Sequence, residues 1–349
     1  MNKKVLVAMS GGVDSSIAAA LLKNQGYDVI GVFFLMHKNN PKDAKAVARK
    51  LKIPLKVLDV RGEFKKKVID YFICEYRNGN TPNPCVRCNR HIKFRFLIDL
   101  AAKLKADFIA TGHYARISQK SKTKNQNDKL KLKSFKLLIA KDAKKDQSYF
   151  LWQLTQKQLS KIIFPLGDFT KEEVRKLAEK FKIPVAKNKE SQDICFSVPK
   201  SIFRARSGPI LNINGKKIGE HKGLAFYTIG QRKGIEIGGT GPYYVIGKDF
   251  KNNALIVSHS EKDLLQKELM VKNINWINES KKSPLLCGVK IRSTAKISSA
   301  KIDKIKNFMS AAGGAKLKII FLKPQRAITP GQSAVFYRKN EVLGGGIIV

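Results

Sequence analysis

The sequence predicts an α/β chain with an N-terminal doubly wound parallel sheet, a small central β-rich domain and a C-terminal β-barrel. Three observations carry this expectation. As far as Thr111, short β-rich runs alternate with segments of helical spacing, the pattern of a parallel sheet covered on both faces. A glycine-rich turn joins the first run to the first helix. From about Gly208 the character changes to short β-branched and aromatic runs broken by glycine pairs, which suits barrels rather than βαβ units.

Taken in order, Lys4–Met9 reads as a strand and Ser15–Gln25 as a helix stopped by Gly26. Val29–Leu35 is strand-like, Pro41–Leu51 helical, Leu55–Val60 a strand and Phe64–Arg77 a helix. Ile92–Leu104 is helical and Asp107–Thr111 a strand. Residues 118–134 are polar, Lys-rich and aperiodic, and read as a surface loop. Gln156–Ile163 and Lys171–Phe181 read as helices, the second with Thr170 as N-cap. Ala225–Ile229, Tyr243–Ile246, Ala254–Val257, Gly288–Ile291, Lys316–Phe321 and Ala334–Tyr337 read as strands. The expected domains are 1–155, with an extension to about 205 carrying Cys195, then 206–265 and 266–349.

The chain has 349 residues, enough for more than one core, and 43% of them are hydrophobic. Apolar runs such as Val29–Met36 are far too short to span a bilayer. Met1-Asn2-Lys3-Lys4 leads directly into a strand and leaves no room for a targeting peptide, so the expected location is cytoplasmic. Net charge is +41, from 68 Lys and Arg against 27 Asp and Glu. That excess favours a polyanion partner, since each phosphate contact releases counterions, although abundant Lys, Asn and Ile also fit an AT-rich coding bias. Cys74, Cys85, Cys88, Cys195 and Cys287 are an odd set, which argues against a disulfide framework and for thiol or metal chemistry where they cluster.

Ser10-Gly11-Gly12-Val13-Asp14-Ser15-Ser16 follows a buried strand and opens a helix. Its glycines let the backbone approach a ligand, and free amides at the helix start face an anion. It lacks the Gly-Lys-Ser/Thr of kinase-type loops. It resembles the pyrophosphate loop of the N-type ATP pyrophosphatases (adenine nucleotide alpha hydrolase-like). That resemblance implies a grip on the β- and γ-phosphates, an α-phosphate open to attack, and Asp14 arranging Mg²⁺.

Two cysteine neighbourhoods narrow the chemistry. They are Gly79-Asn80-Thr81-Pro82-Asn83-Pro84-Cys85-Val86-Arg87-Cys88-Asn89 and Glu190-Ser191-Gln192-Asp193-Ile194-Cys195-Phe196. With Thr111–Arg116, Lys145–Leu151, Phe226–Gly234, Pro324–Gln332 and Gly344–Ile348 they resemble, in order and over nearly the whole chain, the bacterial and organellar tRNA-specific 2-thiouridylases. The resemblance implies that Cys88 is the nucleophile and Cys195 the persulfide carrier. It implies an ATP site formed by Ala8, Met9, Ser10, Gly11, Gly12, Val13, Asp14 and Ser15 with Gly112. Asn83, Pro84 and Cys85 fall in the target-base segment, and His113, Lys145, Asp146, Gln147 and Gln332 at tRNA contacts. The implied partners are tRNAs with a thiolatable wobble uridine (Lys, Glu, Gln) and a persulfide donor or relay protein fed by a cysteine desulfurase.

This chemistry has a physical rationale. A uridine C2 carbonyl has a poor leaving group, and adenylating its oxygen turns that oxygen into AMP. A persulfide is a strong nucleophile at neutral pH. Cys88 then either attacks the inner sulfur of Cys195 to release hydrosulfide or resolves the transfer as a Cys88–Cys195 disulfide, which an external reductant resets. Arg87, Arg90 and Lys93 are cations placed to lower the Cys88 pKa or to cradle phosphates. The target base must leave its stack, at least cost in a single-stranded loop.

The chain departs from the family at several points. Cys85 stands where aspartate is usual, giving Cys85-x-x-Cys88 and, with Cys195, a candidate [4Fe–4S] ligand set, zinc half-site or redox pair. Phe34 replaces an ATP-contacting methionine, and its ring can still pack on adenine. Ser293, after Arg292 at an expected RNA contact, replaces a tyrosine. Two other activities share some of these features. An adenylating ligase of a small metabolite uses such a loop without the two cysteines, and a non-catalytic tRNA-binding protein uses the charge without the loop.

Overall fold

In β1 (Lys4–Ala8), Val5 and Val7 point to one face of a sheet and Leu6 to the other, and all three are fully buried. The strand therefore lies inside a sheet covered on both sides. This is a computed structural model, and it describes all residues except Met1, 122–132, 189–193, 199, 204, 236, 239–240, 279–283 and 305–315.

The N-terminal part runs β1, α1 (Val13–Asn24), β2 (Asp28–Leu35), α2 (Lys42–Leu51), β3 (Leu55–Asp59), α3 (Arg61–Phe64), α4 (Asp70–Arg77), α5 (Pro84–Cys88), α6 (Phe94–Lys103) and β4 (Phe108–Thr111). It continues with β5 (Arg116–Ser121), β6 (Lys133–Leu138), α7 (Gln156–Leu159), β7 (Ile162–Ile163) and α8 (Lys171–Lys180). The parallel sheet has the order β3-β2-β1-β4-β7. One face packs Val5, Val7 and Phe33 with residues of α1, α2 and α8. The other packs Leu6, Val32 and Phe34 with α3, α5 and α6. Strand order reverses at β1, so the loop after β1 opens at the switch point where such sheets bind ligands.

The next domain is a four-stranded sheet of β8 (Gly208–Leu211), β9 (Lys217–His221), β10 (Tyr244–Asp249) and β11 (Ala254–Ser258), in the order β10-β11-β8-β9. The last is an antiparallel barrel of β12 (Leu265–Trp276), β13 (Leu285–Lys290), β14 (Ser298–Lys304), β15 (Leu317–Arg326), β16 (Ser333–Arg338) and β17 (Glu341–Ile348). Its order is β12-β15-β14-β13-β16-β17, and β12 pairs with β17 to close the ring and remove the edges.

Both faces of β16 and β17 are buried, for a clear reason. Ala334 and Phe336 fill the barrel, while Val335, Tyr337, Val342 and Ile347 belong to the core of the N-terminal domain. Fully buried Trp152 lies in this joint: its Nε1 donates to Ser333 Oγ at 3.0 Å, and a Cβ on Gly345 would meet its ring at 2.9 Å. The β5–β6 hairpin extends the barrel sheet through β6 and β17.

Three segments differ from expectation. Part of the stretch 118–134 is this hairpin rather than loop, and its centre lies outside the described residues. The helix expected over Gln156–Ile163 ends at Leu159. β-Branched Ile162 and Ile163 then pair with Ile109 and Ala110 at the sheet edge. Over Ala225–Ile229 a 3₁₀ turn at Leu224–Phe226 replaces the strand, entered through Gly223 at φ +129°, which breaks an extended run. Among the described residues no helix is long and apolar enough to cross a membrane.

Because Trp152 fills the joint between the N-terminal domain and the barrel, Trp152→Ala is expected to cost about 3–5 kcal/mol. Denaturant unfolding followed by circular dichroism checks this. The variant should also separate barrel melting from melting of the parallel sheet.

Candidate functional site

The loop between β1 and α1 is built from its own hydroxyls. Ser10 N donates to Ser15 Oγ at 3.1 Å, Gly12 N to Ser10 Oγ at 3.3 Å, and Ser16 Oγ to Gly12 O at 2.8 Å. Gly11 sits at φ +87°, and a Cβ there would stand 2.9 Å from Asp43 Cβ, so glycine is required. At Gly12 a Cβ would meet only Ser10 Oγ at 3.5 Å, which leaves space in front of the loop. Gly12 is also the N-cap of α1 with no side-chain cap bond, so the first amides of the helix face that space. Ala8 ends β1 and buried Met9 packs beneath the loop, each offering backbone to it, and Val13 starts the helix.

Asp14 is fixed from two sides. Its Oδ1 accepts from Tyr114 Oη at 2.9 Å and from Lys171 Nζ at 2.6 Å. Gly112 closes the loop from β4, where a Cβ would come within 2.7 Å of Ser15 N. Phe34 is buried in the core beneath the sheet end, with its carbonyl taken by Asn39 Nδ2 at 2.8 Å.

His113 follows Gly112. Its Nδ1 lies 2.7 Å from Thr111 Oγ1, and its ring stacks on Phe94 at 6.0 Å between centroids. Burial, with Lys93 adding to it, pushes its pKa down to about 3, so it is neutral at pH 7. Gln147 supports this loop: its Oε1 accepts from Tyr114 N at 3.0 Å. Asp146 is used internally, accepting from Ala140 N and from both polar groups of Ser148. Lys145 stands beside it, half-buried.

The thiols gather on the other side of Lys93. Asn83 caps α5 by accepting from Cys85 N at 3.2 Å and Val86 N at 3.3 Å, and Pro84 holds the first helical position. Cys85 is exposed, while Cys88 is 5% exposed with its Sγ 3.9 Å from Met36 Sδ, just past β2. A π-helical turn, Asn89–Lys93, links α5 to α6 and carries Lys93 at its end. Cys195 is exposed, and its neighbour Phe196 is held edge-on by Phe64 at 5.8 Å and Phe72 at 5.3 Å.

Burial pushes the Cys88 thiol up to about 12, with Lys93 opposing and the charges of Cys195 and Cys85 adding to the rise. Cys85 and Cys195 are also raised by the protein packed around them, and Lys93 again opposes. The three sulfurs thus lie within each other's field and share one cation. Of the three cations expected near Cys88, Lys93 faces the thiols. Arg87 instead stacks on Tyr71 at 4.2 Å, and Arg90 is exposed.

Three sites expected to contact RNA lie at domain joints. Arg292 Nη2 donates to Ile229 O at 3.0 Å, Ala327 O at 2.9 Å and Thr329 Oγ1, with Ser293 beside it. Gln332 Nε2 donates to Thr81 O at 2.7 Å. Lys171, Tyr114, Phe94 and Met36 join the site without a sequence signal for their roles: Tyr114 lies within Thr111–Arg116, whereas Lys171 has only its place after the cap Thr170.

Family models match the chain end to end: a tRNA methyl transferase HUP domain over residues 3–199, a tRNA methyl transferase PRC-barrel domain over 199–259, and an aminomethyltransferase beta-barrel domain over 266–348. A tRNA-specific 2-thiouridylase MnmA 2 from Thermoanaerobacter sp. (strain X514) is 44% identical, covering 100% of this chain and 98% of that protein. The tRNA-specific 2-thiouridylase MnmA of Clostridioides difficile (strain 630) is 42% identical with the same coverage of each. A solved 4-thiouridine synthetase–RNA complex with bound ATP overlies 57% of this chain and 46% of that one, at 18% identity and a TM-score of 0.36, too slight a likeness to argue from.

Two outcomes follow from the burial pattern. Iodoacetamide at pH 7.5 should label Cys74, Cys85 and Cys195 at least about a hundredfold faster than Cys88, because only the thiolate reacts. Peptide mass spectrometry with time checks this. Separately, native His113 and His91 hold pKa values pushed down to about 3 and about 4, so below pH 6.5 the unfolded chain binds protons that the fold refuses. The stability these neutral histidines contribute is present above pH 6.5 and is lost as pH falls toward 4. Melting temperature should drop over that window, and His113→Asn should flatten the drop.

Proposed function

Because this chain belongs to the tRNA-specific 2-thiouridylase family, an enzyme family of ATP-dependent sulfur transfer to tRNA, we propose that it converts the wobble uridine to 2-thiouridine through an adenylated base and a Cys195 persulfide. The observation that supports this reading is that Cys195 lies within electrostatic reach of Cys88, which packs on Met36 just past β2, at the end of the sheet that holds the nucleotide loop. Ala8 to Ser15 and Gly112 bind the triphosphate, with α1 amides on the β- and γ-phosphates. Phe34 lies under the adenine. The uridine O2 attacks the α-phosphorus, the bond to the bridging oxygen breaks and pyrophosphate leaves. The terminal sulfur of the Cys195 persulfide then attacks C2, and the C2–oxygen bond breaks to release AMP. Cys88 attacks the inner Cys195 sulfur, leaving the thiocarbonyl on the base and a Cys88–Cys195 disulfide. Atoms balance, and the two electrons are returned by an external thiol reductant.

Mg²⁺, which would offset charge on the triphosphate, suits this site in part: the loop carboxylate that would help hold it is that of Asp14. Lys171 already holds one of its oxygens. The [4Fe–4S] variant fits poorly. Among the described residues no three Cys, His, Asp or Glu side chains come together as a metal site, and Cys88 is packed against Met36.

His113, neutral and stacked on Phe94, orients the flipped base with Asn83, Pro84 and Cys85 at its edge. Lys145, Asp146 and Gln147 shape the adjoining loop, and Arg292, Ser293 and Gln332 set the barrel against it. The substrates are the lysine, glutamate and glutamine tRNAs, the sulfur comes from a cysteine-desulfurase-derived persulfide, and the setting is the cytoplasm. A small-metabolite ligase has no use for the two thiols, and a binding protein none for the loop.

Cys195→Ser, given a persulfide donor, ATP and tRNA, should make 2-thiouridine about a thousandfold more slowly while still releasing pyrophosphate. Nucleoside mass analysis and a pyrophosphate assay read the two steps. Thiolation at the normal rate removes the carrier role of Cys195.

A further inference from the structure

The enzyme must clear the disulfide that each turnover leaves, and the reading above assigns no residue to that task. Resting on that reading, we propose that Cys85 is the resolving thiol: it takes over the Cys88 sulfur from Cys195, and the resulting Cys85–Cys88 disulfide is where a dithiol reductant resets the enzyme.

Geometry supports the exchange. Cys85 and Cys88 lie three residues apart on α5, so their side chains are neighbours on one face. Helical residues at that spacing have Cα atoms about 5 Å apart, inside the range a disulfide spans. The N-cap bonds from Asn83 to both Cys85 N and Val86 N hold the first turn in this register.

Access points the same way. Cys88 is 5% exposed, out of reach of an external thiol, whereas Cys85 is exposed. Exposed Cys195 also offers an outside reductant a sulfur. That route would leave the persulfide carrier tied up as a mixed disulfide. Attack by Cys85 at Cys88 frees Cys195 at once to take new sulfur, and a tethered thiol acts at an effective concentration of millimolar or above. Burial raises all three thiols, and Lys93 opposes that rise at each of them.

The balance is simple. The Cys85 thiolate forms a bond to Cys88 sulfur, the Cys88–Cys195 bond breaks, and Cys195 leaves as a thiolate that takes up a proton. A dithiol then attacks the exposed Cys85 sulfur, Cys88 leaves and is protonated, and the reductant departs as its own disulfide. Two electrons pass from reductant to protein.

The test uses the full chain, loaded with persulfide by a cysteine desulfurase and cysteine, then freed of donor. It receives ATP, Mg²⁺ and tRNA without reductant, and is quenched with N-ethylmaleimide. Trypsin cuts after Arg87, so a Cys85–Cys88 disulfide appears as two linked peptides. The expected result is that linkage with Cys195 alkylated, and Cys88–Cys195 in Cys85→Ser. With dithiol present, the steady-state rate of Cys85→Ser relative to its first-turnover amplitude should fall about tenfold. Wild-type protein that makes 2-thiouridine and carries Cys88–Cys195 with Cys85 alkylated overturns the proposal and leaves the sulfur-transfer reading standing. Formation of 2-thiouridine with all three thiols alkylated overturns both. The wild-type map needs no variant to fold.

Discussion

Burial of Cys88 against Met36, with Lys93 as the cation its sulfur feels, sets the terms for the rest of the site. A thiol held at about 12 is protonated at neutral pH and inert toward outside reagents. It can act only where a disulfide or persulfide sulfur is delivered to it, and Cys195 is the group so placed. Thus one physical choice, desolvating Cys88, separates two thiols: Cys195 meets the outside and Cys88 does not.

That choice demands that α5 stay in place while RNA binds, and the domain joints provide for it. The irregular segment entering α5 is gripped from both later domains. Thr81 N donates to Pro330 O at 2.8 Å, Gln332 Nε2 donates to Thr81 O, and Gly331 packs on Asn80 too closely for a side chain. From the central domain, the Phe250 ring covers Gly79 and Lys248 Nζ donates to Gly79 O at 3.3 Å. Arg292 ties the same two domains together through Ile229 and Ala327. The barrel and the central domain are therefore held in register with α5.

The parts legible in the sequence are those set by local pattern. Val5, Leu6 and Val7 announce a strand buried on both faces, Gly11 a close backbone turn, and Thr170 an N-cap, which the structure completes as a capping box with Glu173. The glycine-broken runs announced a barrel but not which strands close it, because β12 and β17 meet across the whole barrel sequence. Short β7 was lost because a two-residue strand has no period to read. The site residues were named by motif, but their work was not. Asn83 and Asp146 proved to be hydrogen-bond anchors, and Lys171 reaches Asp14 from a helix 157 positions away. Lys93 could be nominated from its neighbourhood, yet only the π turn after Cys88 shows which of three nearby cations faces the sulfur.

Asp14 shows how the loop reconciles opposing charges. A carboxylate beside a triphosphate repels it unless a cation intervenes. Here the compensation comes from two directions, Tyr114 on the β4 side and Lys171 from α8, with Lys171 itself 9% exposed. A lysine so buried would be costly alone, and the pair makes each charge tolerable to the other. Since α8 lies in the same core as α1, the ion pair locks the helix that presents the loop amides to the one that closes that face of the sheet. The net charge of +41 then works at long range, drawing polyanions in, while this neutralised pair keeps the cradle shaped for one.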